Sequence, residues 1–390
     1  MLNFQFARCS IAVLFSFMSV AAAYAVAEQL SFRPAVHLPA GARPQTVLIA
    51  DVNKDGAKDI LVGNSGGDSL SVYLNDGKGD LRQTKGSPFP AGLSPNDLAI
   101  GDLNKDGNLD VAIANHGVQR VTVLLGNGKG GFVFASGSPF SVASNPHPHG
   151  LAVADFNGDS KLDLAVDSWD ENKVLVLFAN GDGTFRSPGV KFAVGAAPYQ
   201  RLRAADLNGD GHPDIVTSNW RGRSLSILLG DDKGNFSLSG DRNVEVPASP
   251  FGLAIGDFNG DHHPDIAVAH FSGQATDPSK NGLSVLYGDG KGGFSLAKGS
   301  PFPVGHYPPT VVAGDLDGDG IDDLALPNHV DNTVTIYLGG KGGLRQAEGS
   351  PISVGHGPTC VAIGDLNGDG KPDLLVCDGD DNEILIFFTK

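Results

Sequence analysis

Oxygen-rich stretches of nine residues recur seven times in this 390-residue chain, and Asp365-Leu-Asn-Gly-Asp-Gly-Lys-Pro-Asp373 shows the pattern in full. Side-chain oxygens fall at the first, third, fifth and ninth places. The sets are Asp51, Asn53, Asp55 and Asp59; Asp102, Asn104, Asp106 and Asp110; Asp155, Asn157, Asp159 and Asp163; Asp206, Asn208, Asp210 and Asp214; Asp257, Asn259, Asp261 and Asp265; Asp315, Asp317, Asp319 and Asp323; and Asp365, Asn367, Asp369 and Asp373. Hard oxygens at alternate positions are the donors that Ca²⁺ takes. A sixth-place glycine, as in Gly56, Gly107, Gly211, Gly320 and Gly370, permits the sharp turn that lets these side chains converge. The seventh carbonyl is a further donor. Ser160 and His262 stand where that glycine is expected, so weaker affinity is expected in those two loops.

An EF-hand begins in the same way but needs a bidentate Glu at place twelve and a helix on each side. Here place twelve holds Val62, Ile113, Val166, Thr217, Val268, Leu326 and Val376, which are strand residues. The loops are therefore expected to join strand to strand. Asx-rich turns alone would explain one copy, but not seven in register. Up to seven structural Ca²⁺ ions are expected.

Between successive loop-opening Asp residues the spacings are 51, 53, 51, 51, 58 and 50, a period in the range of propellers and other repeat arrays. One unit reads as four short strands. In the second repeat, Leu98–Gly101 is an inner strand A, Asp110–Ala114 is strand B and Val121–Leu125 is strand C. The stretch near Gly137-Ser-Pro-Phe-Ser141 is the expected outer strand D. Strand A carries small residues on one face just before the loop (Gly101, Ala154, Gly256, Gly314, Gly364) and mostly branched ones on the other (Ile49, Ile100, Val153, Ile255, Ile363). Crowded inner strands near an axis need that division. No helical period competes after residue 27.

The last repeat stops at Lys390 after strand C and has no strand D of its own. Ser31–Pro39 precedes Gly41-Ala-Arg-Pro44 much as Gly349–Val354 precedes Gly355-His-Gly-Pro358, so the N-terminal segment supplies the missing strand. Closing the ring in this way removes two exposed sheet edges. The expectation is an all-β, seven-bladed β-propeller with four-stranded blades over residues 28–390, closed by an N-terminal strand that completes the last blade.

The stretches "GDLNGDGKPDLLV" and "GDLNKDGNLDVAIAN" and the "GNGKGGF" turns resemble the FG-GAP or VCBS-type repeats, related to the calcium-bearing propeller of integrin α chains. The resemblance covers Gln29 to Lys390. It implies the propeller fold and calcium at the A–B hairpins. The Gly-Ala-Pro that follows strand B in the integrin form is replaced by Gly63-Asn-Ser-Gly66, Ala114-Asn-His-Gly117 and similar stretches, so integrin-like partners are not implied.

Residues 1–27 read as a signal peptide: Arg8, an apolar run from Ile11 to Ala23, and a small-residue cleavage site at Ala25-Val26-Ala27. A secreted, periplasmic or cell-surface protein is expected, with no transmembrane segment in the mature chain. Loss of Arg8 takes the formal charge of −16 to −17. Yet the proposed ligands account for 22 of the 44 acidic residues, and seven Ca²⁺ would leave about −3. The acidity is metal-site charge, and nucleic acid is excluded as the expected partner. Cys360 and Cys377 fall nearly opposite one another across the last hairpin, so a disulfide and two buried thiols are both open to them.

The face opposite the calcium loops is built from D–A and B–C loops and differs in composition. Eight of the eleven His fall there: His37, His116, His147, His149, His270, His306, His329 and His356. Two places beyond strand B the repeats present Ser65, His116, Trp169, Trp220, Phe271, His329 and Gly379, a column that holds both Trp of the chain. Blade four adds Arg201, Arg203, Arg221 and Arg223, and blade five a long loop from His270 to Gly282. His116, His149, Trp169, Tyr199, Arg201, Trp220, Arg221, Phe271 and His329 are the candidate ligand-binding residues.

Aromatics beside Arg and His suit a glycan, an anionic polymer or a protein loop. The expected function is an exported, monomeric, calcium-stabilised binding module. The rival is a polysaccharide-active lyase or hydrolase using His116, His147, His149 and His329. A structural repeat module of a cell-surface assembly is the third reading. No nucleophile elbow, HExxH or phosphate loop is present, and no catalytic residue is assigned.

Overall fold

Strand B is the centre of every blade: Asp59–Asn64, Asp110–Asn115, Asp163–Ser168, Asp214–Asn219, Asp265–His270, Asp323–Asn328 and Asp373–Asp378 are buried along their whole length. Each lies between strands A and C of its own sheet and is covered on both faces by neighbouring sheets. The computed structural model describes residues 30–142, 148–240, 243–271 and 281–390. The expected signal peptide, His147 and nearly all of the loop after His270 lie outside the described residues.

Seven antiparallel sheets form, each in the order A-B-C-D. The four strands expected per blade are present, with a different outer strand. In blade two it opens at Phe132–Phe134, directly after the glycine-rich turn, and resumes at Phe140–Ser141, both pieces pairing with strand C. The stretch at Gly137 is therefore only the second half of strand D. Where the outer strand is interrupted, a serine hydroxyl accepts the orphaned strand C amide: Val72 N to Ser87 Oγ at 2.9 Å, Val123 N to Ser138 Oγ at 2.8 Å and Ile336 N to Ser350 Oγ at 2.8 Å. The recurring Gly-Ser-Pro thus closes a gap in the hydrogen-bond ladder.

Blades stack through the small and branched faces of strand A. A Cβ on Gly314 would sit 3.1 Å from Ile363 Cγ2 of blade seven, and one on Gly364 would sit 3.3 Å from Ile49 of blade one. The small residue makes room for the branched one of the next blade.

The ring closes as expected. Val36–Pro39 pairs antiparallel with strand C of blade seven, in the register Val36 to Ile386 and Pro39 to Glu383. Hydrogen bonds from Arg33 N to Phe388 O (2.8 Å) and from Lys390 N to Ser31 O (2.9 Å) extend the pairing. Across the seam, Val47, Ile60 and Tyr73 of blade one pack in one apolar cluster with Cys377, Ile384 and Ile386 of blade seven. Cys360 and Cys377 are register partners, both buried and both free thiols. Burial pushes the Cys377 thiol up. Among the described residues no helix is long and apolar enough to cross a membrane.

Candidate functional site

The seven Asp-rich loops, expected to bind calcium, are ordered by their own side chains. In blade four, Asp206 Oδ1 accepts from Asp210 N (3.2 Å) and Oδ2 from Gly211 N (2.8 Å); Asn208 Oδ1 accepts from Asp210 N (3.0 Å) and Asp210 Oδ1 from His212 N (2.8 Å). These bonds fix the loop's backbone turn with its side-chain oxygens. Ser160 and His262, at φ of 63° and 65°, hold the left-handed turn that glycine makes in the other copies. Their backbone thus follows the same path at the cost of strain.

The ninth-place Asp does something further. In all seven blades it is fully buried, and its two oxygens accept from the second loop amide and from an amide at the end of strand C or just beyond it. In blade four the donors are Leu207 N and Gly230 N, each at 2.8 Å. This carboxylate ties the loop to strand C, and each oxygen keeps a lone pair for a cation. Burial, with the neighbouring loop carboxylates, pushes Asp110, Asp163, Asp214 and Asp265 up to about 6. Asp323 reaches about 7, through burial first and Asp317 second among the raising causes. Neighbouring like charges disfavour the ionised form of each carboxyl.

Carboxylate oxygens of Asp315, Asp317 and Asp323 lie within 4.8 Å of one another. This is the loop in which Asp317 replaces the usual Asn. Among the described residues it is the one such group of three. An all-oxygen set of carboxylates on a glycine turn fits Ca²⁺.

On the opposite face the aromatic column is positioned by backbone pairing. Amides of His116, Trp220, Phe271, His329 and Gly379 donate to the carbonyls of Ser94, Ala197, Ser249, Tyr307 and Gly357, just before strand A, at 2.9 to 3.1 Å. Ser94, Ala197, Tyr307 and Gly357 have left-handed φ of 45° to 62°, which turns each carbonyl toward the column.

The side chains form one continuous arc from blade two to blade six. His116 meets His149 at 5.0 Å between ring centroids, and His149 meets Tyr199 at 4.1 Å and Trp169 at 5.8 Å. Trp169 lies 4.5 Å from Tyr199 and 5.7 Å from Trp220. From Tyr199 the arc continues through Phe251 (5.5 Å) to Phe271 (5.7 Å) and Tyr307 (6.0 Å), and Tyr307 reaches His329 at 5.4 Å. The Arg221 guanidinium sits over the Trp169 ring at 5.2 Å, a cation–π geometry. Ser65 and Gly379 leave the arc open at blades one and seven.

Trp169, Tyr199, Trp220, Phe271, His116 and His329 are half-buried and Arg221 is exposed. Two other candidates sit differently. His149 is 1% exposed and forms the floor under Tyr199 and Trp169. Arg201 is 3% exposed and turns into the propeller axis, 3.8 Å from Asp97, so the blade-four arginines are not one surface cluster. His329 stands at the far end of the arc from His116 and His149, so these three do not converge on one point. Burial lowers the His116 imidazole, and it holds His270 down to about 4.

Phe251 and Tyr307 were not foreseen. Phe251 lies in strand A and Tyr307 shortly before it rather than in the column after strand B, and an aromatic beside a proline was their only signal.

The FG-GAP-like repeat family matches residues 51–113, 102–166, 168–217, 206–268 and 327–376, more than half of the chain. The chain belongs to the FG-GAP-like repeat family. Each matched FG-GAP-like segment ends a few residues beyond one of the Asp-rich loops, in strand B. Cartilage acidic protein 1 of Mus musculus is 26% identical over 273 residues, 58% of this chain and 42% of that protein. Phosphatidylinositol-glycan-specific phospholipase D of Mus musculus is 33% identical over 168 residues, 36% of this chain and 20% of that protein. The FG-GAP-like chain thus matches less than half the length of either relative. Among solved structures, BBS1N in its complex with ARL6DN superposes with a TM-score of 0.59 at 14% identity, over 92% of this chain and 96% of that one. That likeness is one of fold.

Proposed function

We propose that this FG-GAP-like propeller is a calcium-stabilised binding module that holds an extended carbohydrate or anionic polymer on its aromatic face without turning it over. The observation that carries the reading is the arc from His116 to His329, with Arg221 stacked on Trp169. Rings give a sugar flat apolar faces to lie on, and a guanidinium beside them can pair with carboxylate or sulfate. Weak contacts at successive blades add up when the ligand is a polymer. The half-buried rings of Trp169, Tyr199, Trp220 and Phe271 would stack on the ligand, while His149 and Phe251 support them from beneath.

Calcium belongs to the same reading as a structural ion. Asp315, Asp317, Asp319 and Asp323 would hold it most strongly, since this loop carries four carboxylates, three of which converge, and the other loops offer three Asp and one Asn each. When bound, the ion supplies the positive charge that clustered carboxylates lack. Export to the cell exterior, where calcium is plentiful, rests on residues 1–27 alone.

A screen of immobilised polysaccharides against the wild-type protein and a Trp169→Ala, Trp220→Ala, Arg221→Ala variant tests the function. The expected result is retention of the wild type on at least one polymer and its loss in the variant at an unchanged melting temperature. Binding that survives the triple substitution places the ligand elsewhere, and shortening of the bound polymer makes the protein an enzyme.

A further inference from the structure

A cavity of about 300 Å³ lies on the propeller axis, lined by strand A of blades one to four, six and seven. Its wall is largely apolar, with Val47, Leu98, Leu151 and Val312, and its charged lining residues are Asp97, Arg201 and Arg203. Two guanidiniums therefore share one carboxylate.

The hydrogen bonds sharpen that imbalance. Arg203 Nη1 donates to Asp97 Oδ2 (3.1 Å) and Leu202 O (2.8 Å), and Arg201 Nη1 donates to Gln200 O (3.0 Å) and Asn96 O (3.4 Å). Leu151 N also points at Asp97 Oδ2, at 3.4 Å. A guanidinium has five N–H donors. Those on Nε and Nη2 of both arginines have no protein acceptor among the described residues, although Arg201 is 3% exposed. Both side chains line the cavity, so a ligand within it can reach these donors. Asp167, the next acid, is not among the residues that line the cavity and already accepts from His149 N (2.8 Å) and Gly150 N (3.2 Å).

We propose that the axial cavity binds a small organic monocarboxylate, whose carboxylate takes the spare N–H groups of Arg203 and Arg201 and whose apolar body lies against Leu98, Leu151 and Val312. One carboxylate balances the second guanidinium. Planar two-oxygen acceptors match the guanidinium fork, and the rest of the wall is largely apolar, with Thr46 and Thr310 as its hydroxyl-bearing residues. The site is separate from the aromatic face, and neither proposal depends on the other.

Calorimetric titration of the full chain with benzoate, and with benzyl alcohol as the uncharged analogue, tests this. The expected result is one saturable benzoate site per chain, weakened about tenfold or more in Arg203→Gln and by a similar factor for benzyl alcohol. Arg203→Lys, at a half-buried position, keeps the charge but loses the planar fork and should also weaken binding, which keeps the test decisive if Arg203→Gln does not fold. Absence of saturable benzoate binding, equal affinity for the alcohol, or unchanged affinity in both Arg203 variants would overturn the proposal and leave the arginines as a strut between blades two and four.

Discussion

Replacing Asp378 by Asn should stabilise the protein, and more so at alkaline pH. In four blades the last residue of strand B is an asparagine that bonds to its surroundings: Asn64 Oδ1 accepts from Gly41 N at 3.1 Å, and Asn64 Nδ2 donates to Ser69 and Ser71. Asn328 repeats this with Gly305, Thr333 and Thr335. Blade seven has Asp378 there, fully buried, with neither oxygen bonded. Burial, then Asp381 and Glu383, push its carboxyl up to about 7, against the partial relief of His356 and His37. A folded value raised above 3.8 means that the folded state holds the proton more tightly. Stability is therefore greatest below the unfolded value and is lost as pH rises through about 7. At about 1.4 kcal/mol per pH unit, and discounted for the solvent near Asp381 and Glu383, the charged form costs about 2–4 kcal/mol at pH 8. A neutral amide in its place would remove most of that and accept from Gly355 N, although Glu383 and Leu385 replace the hydroxyl partners that the amide has in blades one and six. We expect Asp378→Asn to gain about 2–3 kcal/mol at pH 8 and under about 1 kcal/mol at pH 5 in guanidinium unfolding. An equal gain at both pH values, or none at pH 8, would refute the reasoning.

Chelation should lower the melting temperature, since each loop saturated at a hundredfold excess over its dissociation constant contributes about 2.7 kcal/mol; superimposable melts with and without EGTA would remove calcium from the account. Asp210→Ala should destabilise the protein in calcium but hardly at all in EGTA, where the carboxylate of Asp210 only orders an exposed loop. Deleting the chain up to Pro39 removes the outer strand of blade seven and exposes its strand C edge, so the truncated protein should aggregate in light scattering; a monomer with an unchanged melt would contradict ring closure. In the folded protein Cys377, 0% exposed, should resist iodoacetamide until denaturant is added, and rapid labelling of native protein would contradict its burial.

Much of the fold was legible because the loops fix a frame. Once Asp51, Asp102 and their counterparts set the period, small and branched residues of strand A such as Gly364 and Ile49 fell on opposite faces, and the likeness of Ser31–Pro39 to Gly349–Val354 marked the segment in which the closing strand Val36–Pro39 forms. The split outer strand was harder. Phe132–Phe134 is only three residues long and follows a glycine turn, so it reads as part of that turn. The left-handed fourth places of the loops, such as Lys54 and Lys105 at φ of 64° and 63°, were also hidden, although glycine in the other copies was a hint. The aromatic face was legible as a column of loop residues, but a column does not say which way a side chain turns. Arg201 precedes Leu202 on a strand with a register shift, and that places its guanidinium on the axis rather than beside Arg221.

Trp169 and Trp220 are the only two tryptophans of the chain, and both lie in the aromatic arc. Selectively excited tryptophan fluorescence therefore reports on that face alone, and its titration with soluble oligosaccharides of a polymer that the protein retains is the most direct measurement. Ligand stacked there should shift or quench the emission along a saturable curve, with the same affinity as calorimetry gives. Calorimetric binding with no change in tryptophan emission would put the ligand away from the arc and contradict the proposed function.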